Sequence, residues 1–364
     1  MKIRVGLRLS RNLIASLFCV ESSYIGECLF GRYEEGELPL IATARVLSRS
    51  VILVPERPWR SGCFAIALMC IAACSPRSGL VCQTVSPDTT SHFAYDASTP
   101  LDLRQVSTEK RGGVTIQEIT YTSPRGGVVP ASLVFPSGNG KFAAVIWGHW
   151  LMPNATNSNR SEFLEEAVAL APAGVVSLLI DAPQARPGFK ATPNRVLVAQ
   201  QVVDLRRAVD LLLSRPDVDP KRIAYVGHSW DAGTGAILDA LDKRLTAFVF
   251  MSGPQSTGQY VLSSDSPRMV SMRKSVDVAK VEQALQANAW ADPATYAGQL
   301  GPAAALFQYG LHDEEWVPLQ DAKDYFAMSS GPKEVKFYDS DHALTQSAAR
   351  DRDEFLKKHL DLTP

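Results

Sequence analysis

The chain has 364 residues, which exceeds the usual single domain, although α/β folds often run past about 250 residues as one unit. Hydrophobic residues make up 46% and charged residues 21%, as in an ordinary globular protein with a sizeable core. The formal net charge of -1 gives no reason to expect nucleic acid or a strongly charged surface as a partner.

The cysteines are confined to the first 82 residues. They are Cys19, Cys28, Cys63, Cys70, Cys74 and Cys82. Because none follows, a disulfide framework, a thiol nucleophile and a cysteine metal site are all excluded for the rest of the chain.

An apolar run at residues 61–74 follows Arg57 and Arg60. It suits the core of a signal peptide and is shorter than the roughly 20 residues needed to span a bilayer. Its ending, Ile71-Ala72-Ala73-Cys74, resembles the lipobox of bacterial lipoproteins, in which the cysteine becomes the lipidated N-terminus. We therefore expect an exported protein of the cell envelope or periplasm, anchored to the membrane through Cys74; a secreted soluble protein is the alternative.

Two further segments flank this signal, which we assign to residues 57–74. Residues 1–56 show no steady period of helix or strand. They are interpreted as a non-native or disordered extension from a start site assigned too early; a genuine N-terminal segment with an internal apolar helix is the alternative. Residues 75–100 are rich in Ser, Thr, Pro and Asp, which predicts a tether.

From about residue 113 the pattern becomes one of strands alternating with helices. Strands are predicted at Val114–Thr122, Val128–Phe135, Ala143–Trp147, Val175–Ile180, Ile223–Val226, Ala247–Met251, Ala304–Tyr309 and Val335–Tyr338. Helices are predicted at Glu162–Ala171, Asn194–Ser214, Ala232–Leu241 and Arg350–His359. This alternation predicts an α/β fold over residues 101–364, with a mostly parallel twisted sheet covered by helices on both faces. Residues 254–303 form one long insertion, expected to be a small lid or pocket wall.

The sequence Gly227-His228-Ser229-Trp230-Asp231 lies between a predicted strand and a predicted helix. A serine on such a sharp turn is held above the sheet, beside the backbone N–H groups of the helix start. A Gly-x-Ser triplet alone is a weak signal, and the predicted strand before it and helix after it make the signal stronger. Ser229 is therefore a candidate nucleophile; an ordinary turn with a capping serine is the alternative.

Two polar residues follow later strands and complete a possible catalytic set. Asp313 comes directly after the strand that ends at Tyr309, where it could orient an imidazole, although Glu314 and Glu315 compete for this role. His342 follows the last strand, and an imidazole can take a hydroxyl proton and return it to a leaving group. The order Ser, Asp, His is the one that α/β-hydrolases use.

Residues 90–360 resemble the dienelactone-hydrolase and prolyl-oligopeptidase-like branch of α/β-hydrolases, which also contains acetyl esterases. The resemblance is carried by residues 203–210, 216–223 and 227–229, by Gly310, Asp313 and Val317-Pro318, and by Asp341-His342. It implies the α/β-hydrolase fold and ester or amide hydrolysis through an acyl-enzyme, with no metal or organic cofactor. It also implies an oxyanion hole formed by the backbone N–H groups of Trp230 and Leu151.

The chain departs from this family beside that oxyanion hole. Asp231 stands where the family usually has glycine, and a carboxylate there would oppose a developing oxyanion unless it points away or is paired. Trp150 replaces the glycine of the usual His-Gly pair after the strand that ends at Trp147. With His149 and Trp316, Trp150 is expected to line a substrate pocket whose tryptophans suit an apolar or aromatic group.

The resulting prediction is a serine hydrolase whose substrate is a small-molecule carboxylic ester. No metal site is expected, because no two of the six histidines are four residues apart with a glutamate between them. His312 and Asp313 are adjacent, but the sequence offers no third ligand beside them. A serine exopeptidase, amidase or acyltransferase of the same fold is an alternative. A catalytically weak binding protein is another, since Asp231 and Trp150 could close the oxyanion hole. The sequence does not indicate an oligomeric state.

Overall fold

The computed structural model describes residues 87–362. The predicted extension at 1–56, the lipobox segment with Cys74 and the first part of the predicted tether lie outside the described residues. The assignments made for them therefore stay predictions.

Nine strands of the described residues form one sheet. They are β1 (Arg104–Arg111), β2 (Val114–Thr122), β3 (Val128–Pro136), β4 (Phe142–Gly148), β5 (Val175–Ile180), β6 (Val218–His228), β7 (Ala247–Met251), β8 (Ala304–Gly310) and β9 (Lys333–Tyr338). Their order is β1-β2-β3-β5-β4-β6-β7-β8-β9; β1 to β3 pair antiparallel with their neighbours, whereas β4 to β9 run parallel. The predicted mostly parallel sheet is confirmed.

Helices cover both faces of this sheet. They are α1 (Pro87–Ser91), α2 (Leu164–Leu170), α3 (Asn194–Ser214), α4 (Trp230–Leu241), α5 (Thr257–Ser263), α6 (Pro267–Arg273), α7 (Val278–Ala287), α8 (Leu319–Met328) and α9 (Gln346–His359). Apolar residues of α3, α4 and α8 share one buried core with Ile146, Tyr225 and Phe307 of the strands. Apolar residues of α2 and α9 share the other with Val145 and Leu306. Because successive strand residues point to opposite faces, each central strand supplies both cores.

The folded domain begins earlier than the predicted boundary at residue 101. Phe93 is fully buried, and its ring lies edge-on to those of Trp290 and Tyr296 at 5.7 and 6.0 Å between centroids. The Arg206 guanidinium donates to the Phe93 carbonyl at 3.0 Å. The tether assignment is therefore wrong for this segment, because its few apolar side chains find partners that are distant in sequence.

Strand β1 was not predicted from the sequence. Seven of its eight side chains are exposed, since it forms the edge of the sheet. An edge strand with polar residues at nearly every position lacks the alternating pattern by which strands are recognised.

The insertion at 254–303 folds into α5, α6 and α7, followed by 3₁₀ turns at Ala289–Ala291 and Pro293–Gln299. Val261, Met269, Met272 and Val281 form a small core of its own. None of the helices within residues 87–362 combines the length and the apolarity that crossing a membrane requires.

Candidate active site

Ser229 lies on the sharp turn between β6 and α4. Its backbone has φ 57° and ψ -116°, a left-handed conformation that is strained for a residue with a side chain. Its N–H donates to the carbonyl of Met251 on β7 at 2.7 Å, which holds the turn against the sheet. Gly227 is required nearby, because a Cβ there would lie 2.5 Å from the Asp231 carbonyl oxygen.

The structure brings the three predicted polar side chains together. Nε2 of His342 is 2.7 Å from Oγ of Ser229, and its Nδ1 is 2.5 Å from Oδ2 of Asp313. The other oxygen of Asp313 accepts the N–H of Trp316 at 3.1 Å, which fixes the carboxyl group. Asp313 and His342 are each only 5% exposed, whereas Ser229 is partly exposed.

These residues follow the carboxyl ends of β6, β8 and β9. In the sheet, the chain passes from β4 to β5 on one side of β4 and then crosses over to β6 on the other side of β4. Such a reversal opens a crevice at the carboxyl ends of parallel strands, where ligands bind in open α/β sheets. The side chains of Ser229, Asp313 and His342 therefore meet at the expected edge.

A cavity of about 240 Å³ adjoins Ser229 and His342. It is lined by Leu151, Asn194, Val198, Ser229, Trp230, Gly233, Thr234, Ile237, Ser252, Gly253, Pro254, Gln255, Thr257, Tyr260, Ala291, Pro293, Trp316, Val317 and His342. None of these is an Asp, Glu, Lys or Arg. The insertion at 254–303 supplies six of these lining residues, from Pro254 to Pro293.

Trp316, one of the three predicted pocket residues, lines this cavity, with its ring 5.9 Å from that of His342. The other two predicted pocket residues lie elsewhere. His149 is 1% exposed; its Nε2 accepts the N–H of Ala182 at 2.9 Å, so the proton is on Nδ1, which donates to the Trp150 carbonyl at 2.6 Å. The Trp150 ring stacks on His228 at 5.0 Å. The pocket assignment of His149 and Trp150 is therefore corrected, because both pack behind the site.

Asp231 points away from the cavity. Its carboxyl oxygens accept from the Gln201 amide at 3.0 and 3.1 Å and from the Thr234 hydroxyl at 2.8 Å. Burial raises its pKa from 3.8 to about 6. The space for this side chain comes from Gly148 at the end of β4, where a Cβ would lie 2.7 Å from an Asp231 carboxyl oxygen.

Two ionisable residues beside the site were not singled out from the sequence. Glu162 lies in the β4–α2 loop, residues 149–163; its Oε2 accepts the N–H of Trp150 at 2.6 Å, and its Oε1 lies 2.5 Å from Nδ1 of His228. Nε2 of His228 is 3.0 Å from the carbonyl oxygen of His342. The position of His228 beside Ser229 is a weak sequence signal, whereas nothing in the sequence around Glu162 distinguishes it from its neighbours.

Across residues 87–362, no group of three or more His, Cys, Asp or Glu side chains is arranged to hold a metal ion. His312 and Asp339 form a contact of 2.6 Å on the surface. Arg186 donates to Asp204 at 2.6 Å and to the Asp181 carbonyl, so its guanidinium is engaged away from the cavity.

No protein-family model and no curated protein sequence matches the chain. Solved structures do resemble it. An acetyl xylan esterase from Paenibacillus sp. is 19% identical with a TM-score of 0.61, covering 75% of this chain and 92% of that one. Acetyl xylan esterase 1 from Thermoanaerobacterium sp. is 15% identical with a TM-score of 0.61, covering 75% and 93% respectively. At this level of identity, the similarity and the sheet order together show that the chain has the α/β-hydrolase fold.

Proposed function

We propose that this protein is a serine hydrolase that cleaves uncharged carboxylic esters through an acyl-enzyme. The observation that carries the proposal is the continuous contact from Asp313 through His342 to Ser229, at 2.5 and 2.7 Å. An aspartate, an imidazole and a hydroxyl in this arrangement form the constellation that activates serine in acyl transfer.

The proton steps follow from this geometry. Asp313 accepts from Nδ1–H of His342, which leaves Nε2 as the acceptor facing the Ser229 hydroxyl. When the serine oxygen attacks the ester carbonyl carbon, the hydroxyl proton passes to Nε2. His342 then donates that proton to the departing alcohol oxygen, and a water molecule repeats the two steps on the acyl-enzyme.

Two backbone N–H groups are proposed to stabilise the oxyanion. Trp230 is the first residue of α4, where an N–H has no partner within the helix and the helix dipole favours negative charge. Leu151 lines the cavity beside Ser229, whereas the N–H of the preceding residue is occupied by Glu162. Because Asp231 is paired on the far side of the turn, its carboxyl group does not face this position.

The cavity supports a small, uncharged substrate. An apolar cavity of about 150 Å³ holds one benzene molecule, and sites for drug-sized ligands begin at roughly 300 Å³. A volume of about 240 Å³ therefore suits a short acyl chain or a single aromatic ring. Burying a charge against an uncharged wall without a partner is costly, so an anionic acyl group is disfavoured.

A fluorophosphonate probe tests the nucleophile. We expect the probe to label the parent protein at Ser229, and Ser229→Ala to lose both labelling and hydrolysis of p-nitrophenyl acetate. Ser263→Ala is the matched control, because that hydroxyl is exposed on α5 and donates to the Gln259 carbonyl. Silence from folded parent protein would instead favour the binding-protein alternative, and labelling of Ser229→Ala would exclude Ser229 as the nucleophile.

The same preparation tests the substrate class. p-Nitrophenyl valerate and p-nitrophenyl hemisuccinate have acyl groups of similar length and different charge. We expect kcat/KM to be at least about tenfold higher for the neutral ester, given the cost of burying an unpaired carboxylate. Product analysis with an aminoacyl amide and with an acceptor alcohol separates esterase from amidase and acyltransferase activity.

A further inference from the structure

We propose that Glu162 is a positioning residue whose carboxylate fixes the positions of two active-site loops relative to each other. This inference rests on the proposed function. The first loop is the β4–α2 loop, which contains Leu151. The second is the β9–α9 loop, residues 339–345, which contains His342. Glu162 contacts neither the cavity nor Ser229; it acts through the backbone of residue 150 and the ring of His228.

Both carboxylate oxygens of Glu162 accept hydrogen bonds. Oε2 accepts the N–H of Trp150, which directs the peptide immediately before Leu151. Oε1 accepts from Nδ1 of His228. The side chains of Glu162 and His228 are 9% and 2% exposed, so little solvent competes for the hydrogen bond between them.

His228 carries the connection to the second loop. Its Nε2 faces the backbone carbonyl of His342 at 3.0 Å, and a carbonyl oxygen can only accept. Its Nδ1 faces a carboxylate, so both ring nitrogens act as donors. The Ser252 hydroxyl donates to the same carbonyl at 2.6 Å, which completes the support of the backbone that carries the imidazole.

Ring stacking reinforces the same link. The Trp150 ring lies 5.0 Å from that of His228 at 21° between planes, and the His228 ring lies 5.5 Å from that of His342 at 27°. A displacement of the β4–α2 loop would therefore move His228 against His342. Since a misplacement of about 1 Å can cost on the order of 100-fold in rate, this coupling matters for the proton transfer and for the oxyanion contact together.

Three variants test the proposal. Glu162→Ala removes both acceptors and is expected to lower kcat for p-nitrophenyl acetate by about 10- to 100-fold with KM changed less than about threefold. Glu162→Gln can accept from Trp150 and donate to Nδ1 of a neutral His228, whose Nε2–H still reaches His342. It should therefore stay within about fivefold of the parent protein. Glu165→Ala removes a carboxylate that is 82% exposed and should change neither constant.

Hydrogen exchange supplies a measurement that does not require activity. In Glu162→Ala, amides of residues 149–152 and of residues 340–344 should exchange faster together, with Glu162→Gln and Glu165→Ala close to the parent protein. If Glu162→Ala does not fold, His228→Ala cuts the same link and should speed exchange at residues 340–344. Faster exchange in the first loop alone, or a Gln variant as impaired as Ala, would overturn the proposal. A parent protein that is not labelled at Ser229 would refute the proposed function while leaving the exchange result interpretable.

Discussion

Asp231 occupies the position two residues after Ser229, where the family that the chain resembles usually has glycine. The Gln201 amide, the Thr234 hydroxyl and the space left by Gly148 accommodate its carboxyl group behind the turn. The side-chain Oε1 of Gln201 is buried without a hydrogen-bond partner. Desolvation penalises the charged form and raises the pKa of Asp231, and the hydrogen bonds from Gln201 and Thr234, which favour the charged form, offset this only in part.

This burial predicts a pH-dependent cost in stability. The pKa of Asp231 is raised from 3.8 to about 6, so the folded protein binds this proton more tightly than the unfolded chain does. The stability that comes from this tighter proton binding is fully present below about pH 4 and is lost as the pH rises through 6. Above pH 6, the free energy of unfolding is therefore lower by about 3 kcal/mol than below pH 4. Asp231→Asn should therefore raise the free energy of unfolding at pH 7.5 by about 1–3 kcal/mol, measured by urea denaturation.

The control for this variant is Asp339→Asn, since the Asp339 side chain is 91% exposed. Burial also raises the pKa of Asp239 to about 6, so part of the decline between pH 4 and 6 should remain in Asp231→Asn. Esterase activity should stay within about threefold of the parent protein, because the residue 231 side chain does not line the cavity. Equal stability of the parent and Asp231→Asn at pH 7.5 would contradict this account.

Among the elements, the segment before β1 and the insertion both contribute side chains to one buried cluster beside the cavity. Phe93, Val198, Ile237 and Ala291 belong to one buried cluster, and the last three of them also line the cavity. Residues 92–99, predicted to be part of a tether, thus pack through Phe93 behind residues that line the cavity.

We expect Phe93→Ala to lower the free energy of unfolding by about 3–5 kcal/mol, the range for truncating a buried phenylalanine. The measurement is chemical denaturation of the purified protein. Val106→Ala on β1 is the control and should change stability by less than about 0.5 kcal/mol, because Val106 is 68% exposed. A similarly small effect of Phe93→Ala would show that this segment does not stabilise the domain.

For the whole molecule, the lipid anchor at Cys74 stays a prediction from the sequence. In the full chain expressed in bacteria, Cys74→Ala should move the protein from the membrane to the soluble fraction and abolish incorporation of labelled palmitate. Cys70→Ala is the matched control, because Cys70 lies in the same apolar run but not at its end. An unchanged membrane fraction for Cys74→Ala would refute the lipobox assignment.

Local sequence patterns were sufficient to predict an element where burial gives that element a regular pattern of apolar residues. Continuous apolar runs predicted β5 and β7 with their observed bounds, and helical spacing predicted α3 over Asn194–Ser214. Strand β1 had no such pattern, because its exposure at the sheet edge imposes no apolar period. Residues 92–99 were misassigned for the related reason that a few buried side chains do not alter composition.

The sequence by itself determined the alternation of strands and helices. It also placed Ser229, Asp313 and His342 each directly after a strand, and the carboxyl ends of parallel strands meet at one edge. Only the tertiary structure decided which way Asp231 points and what Glu162 contacts. Those contacts join residues up to 66 positions apart, as between Glu162 and His228. A hydrogen bond of this kind depends on the packing of several elements, and no spacing along the chain encodes it.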